Sequence, residues 1–393
     1  MPTLRDFTTG PWRAVPVLGV TQIISWGAIF YTPVLTVPLI AADRGWSLSF
    51  TMAGFSLALM VAGLSSPYAG RSVDRFGGHV VMTFGSLIAA CGLVLLVTLA
   101  DPLAYFAAWA VLGLAIACAL YDPAFATLAR LFGPASRQPI TALTLIGGFA
   151  STVSWPVTHL LLTAQGWRGT YLVYAGLFML VAAPLHAFLL PRGRAAAHPV
   201  AAIPDATAAL PPRGLPFALV AAGFACYAFI PSALSAHLLA LFQRHGLDAA
   251  TAVMVGALFG PAQVTARLIE FMFGGQTHPL RLTRAALALL VVGFAALQVV
   301  GTSAPMAAAF MAVFGAVNGL ITIMRGVLPL QLFGSQGYGR MMGRIATPFL
   351  TMQAGAPLVM ALVIEHASDG AALAFAAACA LVALACFVML RRG

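Results

Sequence analysis

Residues 109–133 read WAVLGLAIACALYDPAFATLARLFG, and residues 311–334 read MAVFGAVNGLITIMRGVLPLQLFG. Each is an apolar run long enough for a bilayer-spanning helix, which needs about 20 residues. The two runs also align with one another. Val111 and Gly113 fall on Val313 and Gly315, 202 residues apart, and Leu131-Phe132-Gly133 falls on Leu332-Phe333-Gly334, 201 apart. The register continues into the next apolar run, where Pro156 falls on Pro357, again 201 apart. An offset of about half the chain points to two equal halves. Halves with the same in/out sense are parallel repeats, which place a substrate site between them near the bilayer midplane.

The rest of the chain has the same character. Of 393 residues, 61% are apolar and 8% charged, whereas a soluble domain is about 45–50% apolar and about 25% charged. So few charges cannot coat a soluble body, which excludes a soluble enzyme as well as a disordered or fibrous chain. Apolar runs place spans at 15–41, 49–70, 79–100, 103–131, 139–163, 169–190, 215–241, 249–273, 280–301, 305–331, 344–366 and 371–390. The only long polar, Pro- and Ala-rich stretch is 191–214, which reads as a flexible linker. The expectation is an all-α membrane protein of 12 transmembrane helices in two six-helix parallel repeats. Residues 1–190 form one bundle, 191–214 a cytoplasmic linker and 215–393 the other bundle.

All 20 basic residues are Arg, and the net charge is +10. With the N-terminus inside, 17 of them fall in cytoplasmic segments or span ends, and only Arg44, Arg168 and Arg244 fall on the opposite side. This positive-inside bias puts both termini in the cytoplasm. It makes the charge a topology signal rather than a nucleic-acid footprint, and nucleic acid is not an expected partner. The five cysteines lie inside apolar spans without metal-like spacing and read as packing residues. No cleavable signal peptide is evident.

Between the second and third spans the chain reads Gly70-Arg-Ser-Val-Asp74-Arg75-Phe-Gly77-Gly-His79. Its glycines permit a tight turn with close helix approach. An acid there can dock against the positive N-terminus of a neighbouring helix. The loop resembles the G-x-x-x-D-R-x-G-R-R/K loop of the major facilitator superfamily, with Gly70, Asp74, Arg75 and Gly77 matching and Gly78 and His79 in place of the basic pair. The resemblance implies that these residues gate alternating access on the cytoplasmic side.

A finer resemblance is to the monocarboxylate transporter branch, bacterial type. Asp122-Pro123-Ala124 followed by Arg130-Leu131-Phe132 is similar to that branch's N-P-A…K-Y-F stretch, and Arg137 opens a similar basic, small-residue fifth span. In span 8, Gln263-Val-Thr-Ala266-Arg267 is similar to D-x-x-A-R, with Gln263 where the branch has an acid and a new acid at Glu270. In span 1, Ser25-Trp26-Gly27 matches part of the branch's opening signature.

Buried charges are the candidate site residues, because each costs about 2.5–3.5 kcal/mol to insert. Arg267 is foremost: a permanently charged fork suited to a carboxylate. The competing reading is a structural pair with Glu270, three residues on and on the same helix face. Glu270 is also a candidate proton carrier, since desolvation raises a carboxyl pKa. Gln263, Gln22, Tyr31, Tyr121 and Asn318 complete the candidate substrate-binding set. Asp122 and Arg325 occupy nearly repeat-equivalent positions and are candidates for a gating pair or for substrate contact. Arg130 belongs to the same gating group. Arg340 and Arg344, near the start of span 11, are candidate partners of Asp74, or else topology determinants facing lipid. His159, His186 and His237 read as packing or interfacial residues.

Together these point to a secondary transporter of the bacterial inner membrane, moving a small, monocarboxylate-like organic anion with the proton as candidate coupling ion, or by exchange. It needs no cofactor or metal, and a monomer is expected. The rival within transport is a proton-driven exporter of drugs or metabolites, whose G-P-x-x-G element in span 5 is here Ser154-Trp155-Pro156-Val157. An intramembrane enzyme is disfavoured: there is no HExxH, no GxSxG, and no Lys for a P-loop or Schiff base.

Overall fold

The structure is a computed structural model that describes residues 10–193, 214–274 and 277–390. Most of the stretch read as a linker, and Arg5, Arg194, Arg213, Arg391 and Arg392, therefore lie outside the described residues. Every element among the described residues is helical. In the first half they run α1 (Pro11–Arg44), α2 (Leu48–Phe76), α3 (Gly78–Thr98), α4 (102–132), α5 (137–165) and α6 (167–189). In the second half they run α7 (Leu215–Arg244), α8 (Ala249–Phe273), α9 (Pro279–Val300), α10 (Ala304–Phe333), α11 (Tyr338–His366) and α12 (Asp369–Met389). These are the spans that apolar length predicts.

Local chemistry sets the boundaries. Asp101 caps α4 through the Ala104 amide at 2.9 Å, with Pro102 opening the first turn. Asp248 caps α8 through the Thr251 amide at 3.0 Å, and Ser368 caps α12 through the Ala371 amide at 3.0 Å. Each side-chain oxygen satisfies a backbone donor that has no partner within its own helix. Between α5 and α6 the chain turns on Gly166, whose φ of +67° lies in the left-handed region open to glycine.

By contact the chain divides into two compact units, residues 1–212 with 332–347, and residues 213–331 with 348–393. In the first unit Gly113 of α4 packs on α2, where an added Cβ would lie 2.5 Å from the Ala58 carbonyl oxygen. In the second, Gly315 of α10 packs on α8, where a Cβ would lie 2.3 Å from the Phe259 carbonyl oxygen. Ala58 and Phe259 are themselves 201 residues apart. The aligned glycines thus make the same helix-to-backbone approach in both halves, as expected where small residues let membrane helices close together.

One difference between the halves lies in α4. In α4 the helix stops at Ala119, Leu120 is extended, and a new helix starts at Tyr121. The aligned α10 runs unbroken from Ala304 to Phe333.

The first unit also takes in residues 332–347, which follow most of α10 in sequence. The contacts responsible are local. A Cβ on Gly70 would lie 1.9 Å from the Gly339 carbonyl oxygen, and one on Gly343 would lie 2.1 Å from that of Ser66. The start of α11 therefore rests directly on the backbone of α2.

Candidate functional site

The second unit carries a polar group on α7, α8 and α10. Gly319 lets α10 approach α8 so closely that a Cβ there would lie 2.5 Å from the Gln263 carbonyl oxygen. The neighbouring Asn318 is thereby brought to Gln263, donating from Nδ2 to Gln263 Oε1 at 3.3 Å. From α7, the buried Tyr227 hydroxyl donates to Asn318 Oδ1 at 3.0 Å. One turn along α8 from Gln263 lies Arg267, only 2% exposed, within electrostatic reach of Tyr227. Glu270 is 5% exposed and lays its carboxylate over Gly274. Three expected residues, Gln263, Arg267 and Asn318, thus fall into one group, with Glu270 one turn further along. Two buried charges in an apolar helix are costly, which marks them as candidate functional residues.

Arg325 is also buried, with its guanidinium 4.2 Å from the Phe349 ring centroid, a cation–π contact within the same unit. Asp122 stands half-buried in the first turn of the helix that restarts at Tyr121, where an acid complements the positive helix end.

In the first unit, Gln22 has a structural task. Its Nε2 donates to the Ala119 carbonyl at 2.8 Å, a group left open because the residue four further on is Pro123, which has no N–H, and its Oε1 accepts from Trp26 Nε1 at 3.1 Å. Gln22 is fully buried with both amide ends engaged. Around Trp26 the helix widens into a π-helical turn over Trp26–Tyr31, a form frequent at functional sites. Tyr121 packs against Trp26 at 5.1 Å and stacks on Phe125 at 5.1 Å, and Tyr31 lies 6.3 Å from Trp26. Tyr31 and Tyr121 therefore share one aromatic cluster.

The loop between α2 and α3 is the other site. Asp74 accepts from the backbone amide of Gly339 at 2.9 Å and from that of Arg340 at 2.8 Å. These are amides of the first turn of α11, so the carboxylate sits on the positive end of a helix. Arg340 meets Asp74 through its backbone, and Arg344 lies one turn further on, half-buried. Arg130 donates to the Asp74 backbone carbonyl. Arg75 is exposed over the Phe76 ring at 4.9 Å. Gly77 has φ +87° and joins α2 to α3 in one residue. Gly78 faces Thr127, whose Oγ1 would lie 1.8 Å from a Cβ. That contact is the physical reason for glycine where a basic residue was the pattern.

Two polar residues lie outside the expected site set. Tyr227 sits in an unbroken apolar run that gives no signal of a site. His186, read as packing, is fully buried and polar in its contacts: Nδ1 lies 3.1 Å from both Ser86 Oγ and the Met82 carbonyl, and Nε2 lies 2.9 Å from Thr21 Oγ1.

The sequence profile of the Major Facilitator Superfamily matches residues 18–347. Human monocarboxylate transporter 11 is 29% identical over 316 residues, 77% of this chain and 59% of that protein. Human monocarboxylate transporter 6 is 28% identical over 190 residues, 46% of this chain and 36% of that protein. The chain thus spans less than two thirds of the length of these relatives. Among solved structures it resembles the human organic anion transporter MFSD10 (TETRAN), at TM-score 0.75 and 17% identity, covering 96% of this chain and 99% of that one. It also resembles FucP in the outward conformation, at TM-score 0.74 and 12% identity, with the same coverage of 96% and 99%. At such identities the structural likeness speaks to the fold alone, and the fold is the one expected.

Proposed function

The chain belongs to the major facilitator superfamily and is a membrane transporter, and from that premise we propose that it carries a small monocarboxylate-like organic anion by alternating access. The observation that carries this is Arg267, a buried permanent cation beside a half-buried amide, Gln263, and the Tyr227–Asn318 pair. A guanidinium fork suits a carboxylate through two charge-assisted bonds. The 29% identity to a protein named as a monocarboxylate transporter supports the same substrate class. Proton coupling through Glu270, or anion exchange, completes the cycle, and both halves on a single chain support a monomeric transport unit.

The membrane is a bacterial inner membrane with both termini cytoplasmic. The three arginines on the opposite side support this orientation, because each is held locally. Arg44 donates to the Leu96 and Leu99 carbonyls at 2.8 Å each and lies 5.1–5.5 Å from the rings of Trp46, Trp167 and Tyr105. Arg168 and Arg244 each pair with an aspartate.

The test is uptake of labelled propionate by proteoliposomes holding the parent protein or Arg267→Lys. The variant keeps the charge but loses the planar fork, so uptake is expected to fall about tenfold with folding intact. Uptake unchanged in Arg267→Lys, or absent in the parent, overturns the proposal.

A further inference from the structure

We propose that Gln263 is a fixed hydrogen-bond donor to the transported anion, held in that orientation by Tyr227 acting through Asn318. This rests on the reading of Arg267 as an anion site. An amide presents an acceptor at one end and a donor at the other, and which end faces outward is settled by its partners. Tyr227 is 3% exposed, so its hydroxyl hydrogen must find an acceptor inside the protein. That acceptor is Asn318 Oδ1 at 3.0 Å. Asn318 must then turn Nδ2 toward α8, where it donates to Gln263 Oε1 at 3.3 Å. With its oxygen taken, Gln263 is left with Nε2 as its presented end, two N–H groups on a half-buried side chain.

Gln263 and Arg267 are four residues apart on one helix, so their side chains are neighbours on one face. The Gln263 amide N–H₂ thus adds a donor beside the Arg267 guanidinium, with Glu270 one turn further along. The site favours an oxygen-bearing anion and takes up no proton at position 263 in doing so. Gln263 is a binding residue in this scheme, and Asn318 and Tyr227 are positioning residues.

The experiment is calorimetric titration of the purified protein with propionate between pH 5 and pH 8. Gln263→Glu puts a carboxylate where the donor stood. Its dissociation constant for propionate is expected to rise about tenfold at pH 8, the loss of a hydrogen bond to a charged group. It should recover toward the parent value at pH 5, as the new carboxyl is protonated and regains an O–H donor. Tyr227→Phe is expected to weaken propionate binding a few-fold in the parent, and to have no effect when Gln263→Leu is already present. A merely structural role for Tyr227 would give the same loss in both backgrounds. Melting of the unliganded variants distinguishes loss of fold from loss of binding.

A pH-independent Gln263→Glu, or a Tyr227→Phe effect that persists in Gln263→Leu, overturns the inference while Arg267→Lys still weakens binding. If Arg267→Lys binds propionate as the parent does, or the parent binds none, the anion site itself falls and the inference with it.

Discussion

Asp43 and Arg168 form a two-pronged ion pair, with Arg168 donating to the two carboxylate oxygens at 2.7 and 3.1 Å, and it ties the end of α1 to the start of α6. The second unit holds the same device with the charges exchanged. Arg244 at the end of α7 donates to both oxygens of Asp369 at the start of α12, at 2.8 Å each. Asp43 and Arg244 are 201 residues apart, and so are Arg168 and Asp369. The repeat therefore keeps the pair while letting its polarity reverse, so the requirement at these positions is for opposite charges and not for a particular sign.

Exchanging the charges should therefore be tolerated where reversing one is not. Arg168→Asp sets two acids together and is expected to lower the melting temperature. Asp43→Arg with Arg168→Asp should restore it. The pair is a third to a half exposed, so after solvent screening it contributes about 1 kcal/mol at most. If the double exchange melts no higher than Arg168→Asp alone, other contacts decide the positions.

Asp74 makes a contact of a different kind. Its carboxylate accepts two backbone amides at the start of α11, and bonds to a charged group contribute about 1.5–3 kcal/mol each. Asp74→Asn keeps the shape but removes the charge and places a donor against donors. Spin labels on the end of α2 and the first turn of α11 should then report a broader, longer distance distribution. An unchanged distribution would leave Asp74 as a residue of the loop with no hold on α11.

The aligned glycines make a sharper structural prediction. Gly113→Ala and Gly315→Ala each aim a methyl at a carbonyl oxygen of the facing helix, an overpacking that costs about 1–3 kcal/mol. Both variants should lower the melting temperature, and by similar amounts, because the two contacts are repeat equivalents. Gly176→Ala, with nothing within 4 Å of its added methyl, should melt like the parent.

Span number and placement were legible because bilayer thickness fixes helix length, and apolar runs of that length are hard to mistake. What escaped depends on partners distant in sequence. The apolar run of span 11 begins near residue 344, yet α11 begins at Tyr338. The extra turns are glycine-rich and polar, and they are helical where Asp74 receives their free amides. The break at Leu120 is foreshadowed by Pro123, which has no N–H to offer the Ala119 carbonyl, but its completion by the amide of Gln22, 97 residues away in sequence from Ala119, is not. Gln22 is a candidate substrate-binding residue by sequence, and the bonds of its amide lie within the bundle. Arg267 and Gln263 were legible from their frame in span 8, but Tyr227 was not. Its significance comes from what it donates to, and nothing in an apolar run encodes that.

Arg267 and Glu270 carry the last prediction, which separates binding from folding. Both side chains are buried and one turn apart on α8. Arg267→Ala removes the positive charge nearest in sequence to a buried carboxylate, and stranding such a charge costs about 3–5 kcal/mol. Loss of transport in that variant alone would therefore be ambiguous, since the protein could simply be unstable. Arg267→Ala with Glu270→Gln removes the stranded charge as well. The double variant is expected to recover expression and melting temperature while propionate uptake stays absent, because the carboxylate's partner is still missing. Glu270→Gln alone strands the Arg267 cation in turn and should melt below the double variant. Under conditions where it stays folded, and if Glu270 carries the coupled proton, it should lose uptake driven by a pH gradient while retaining exchange of labelled for unlabelled propionate. Uptake by the double variant at the parent's rate would make the pair structural and remove the residue on which the organic-anion assignment stands.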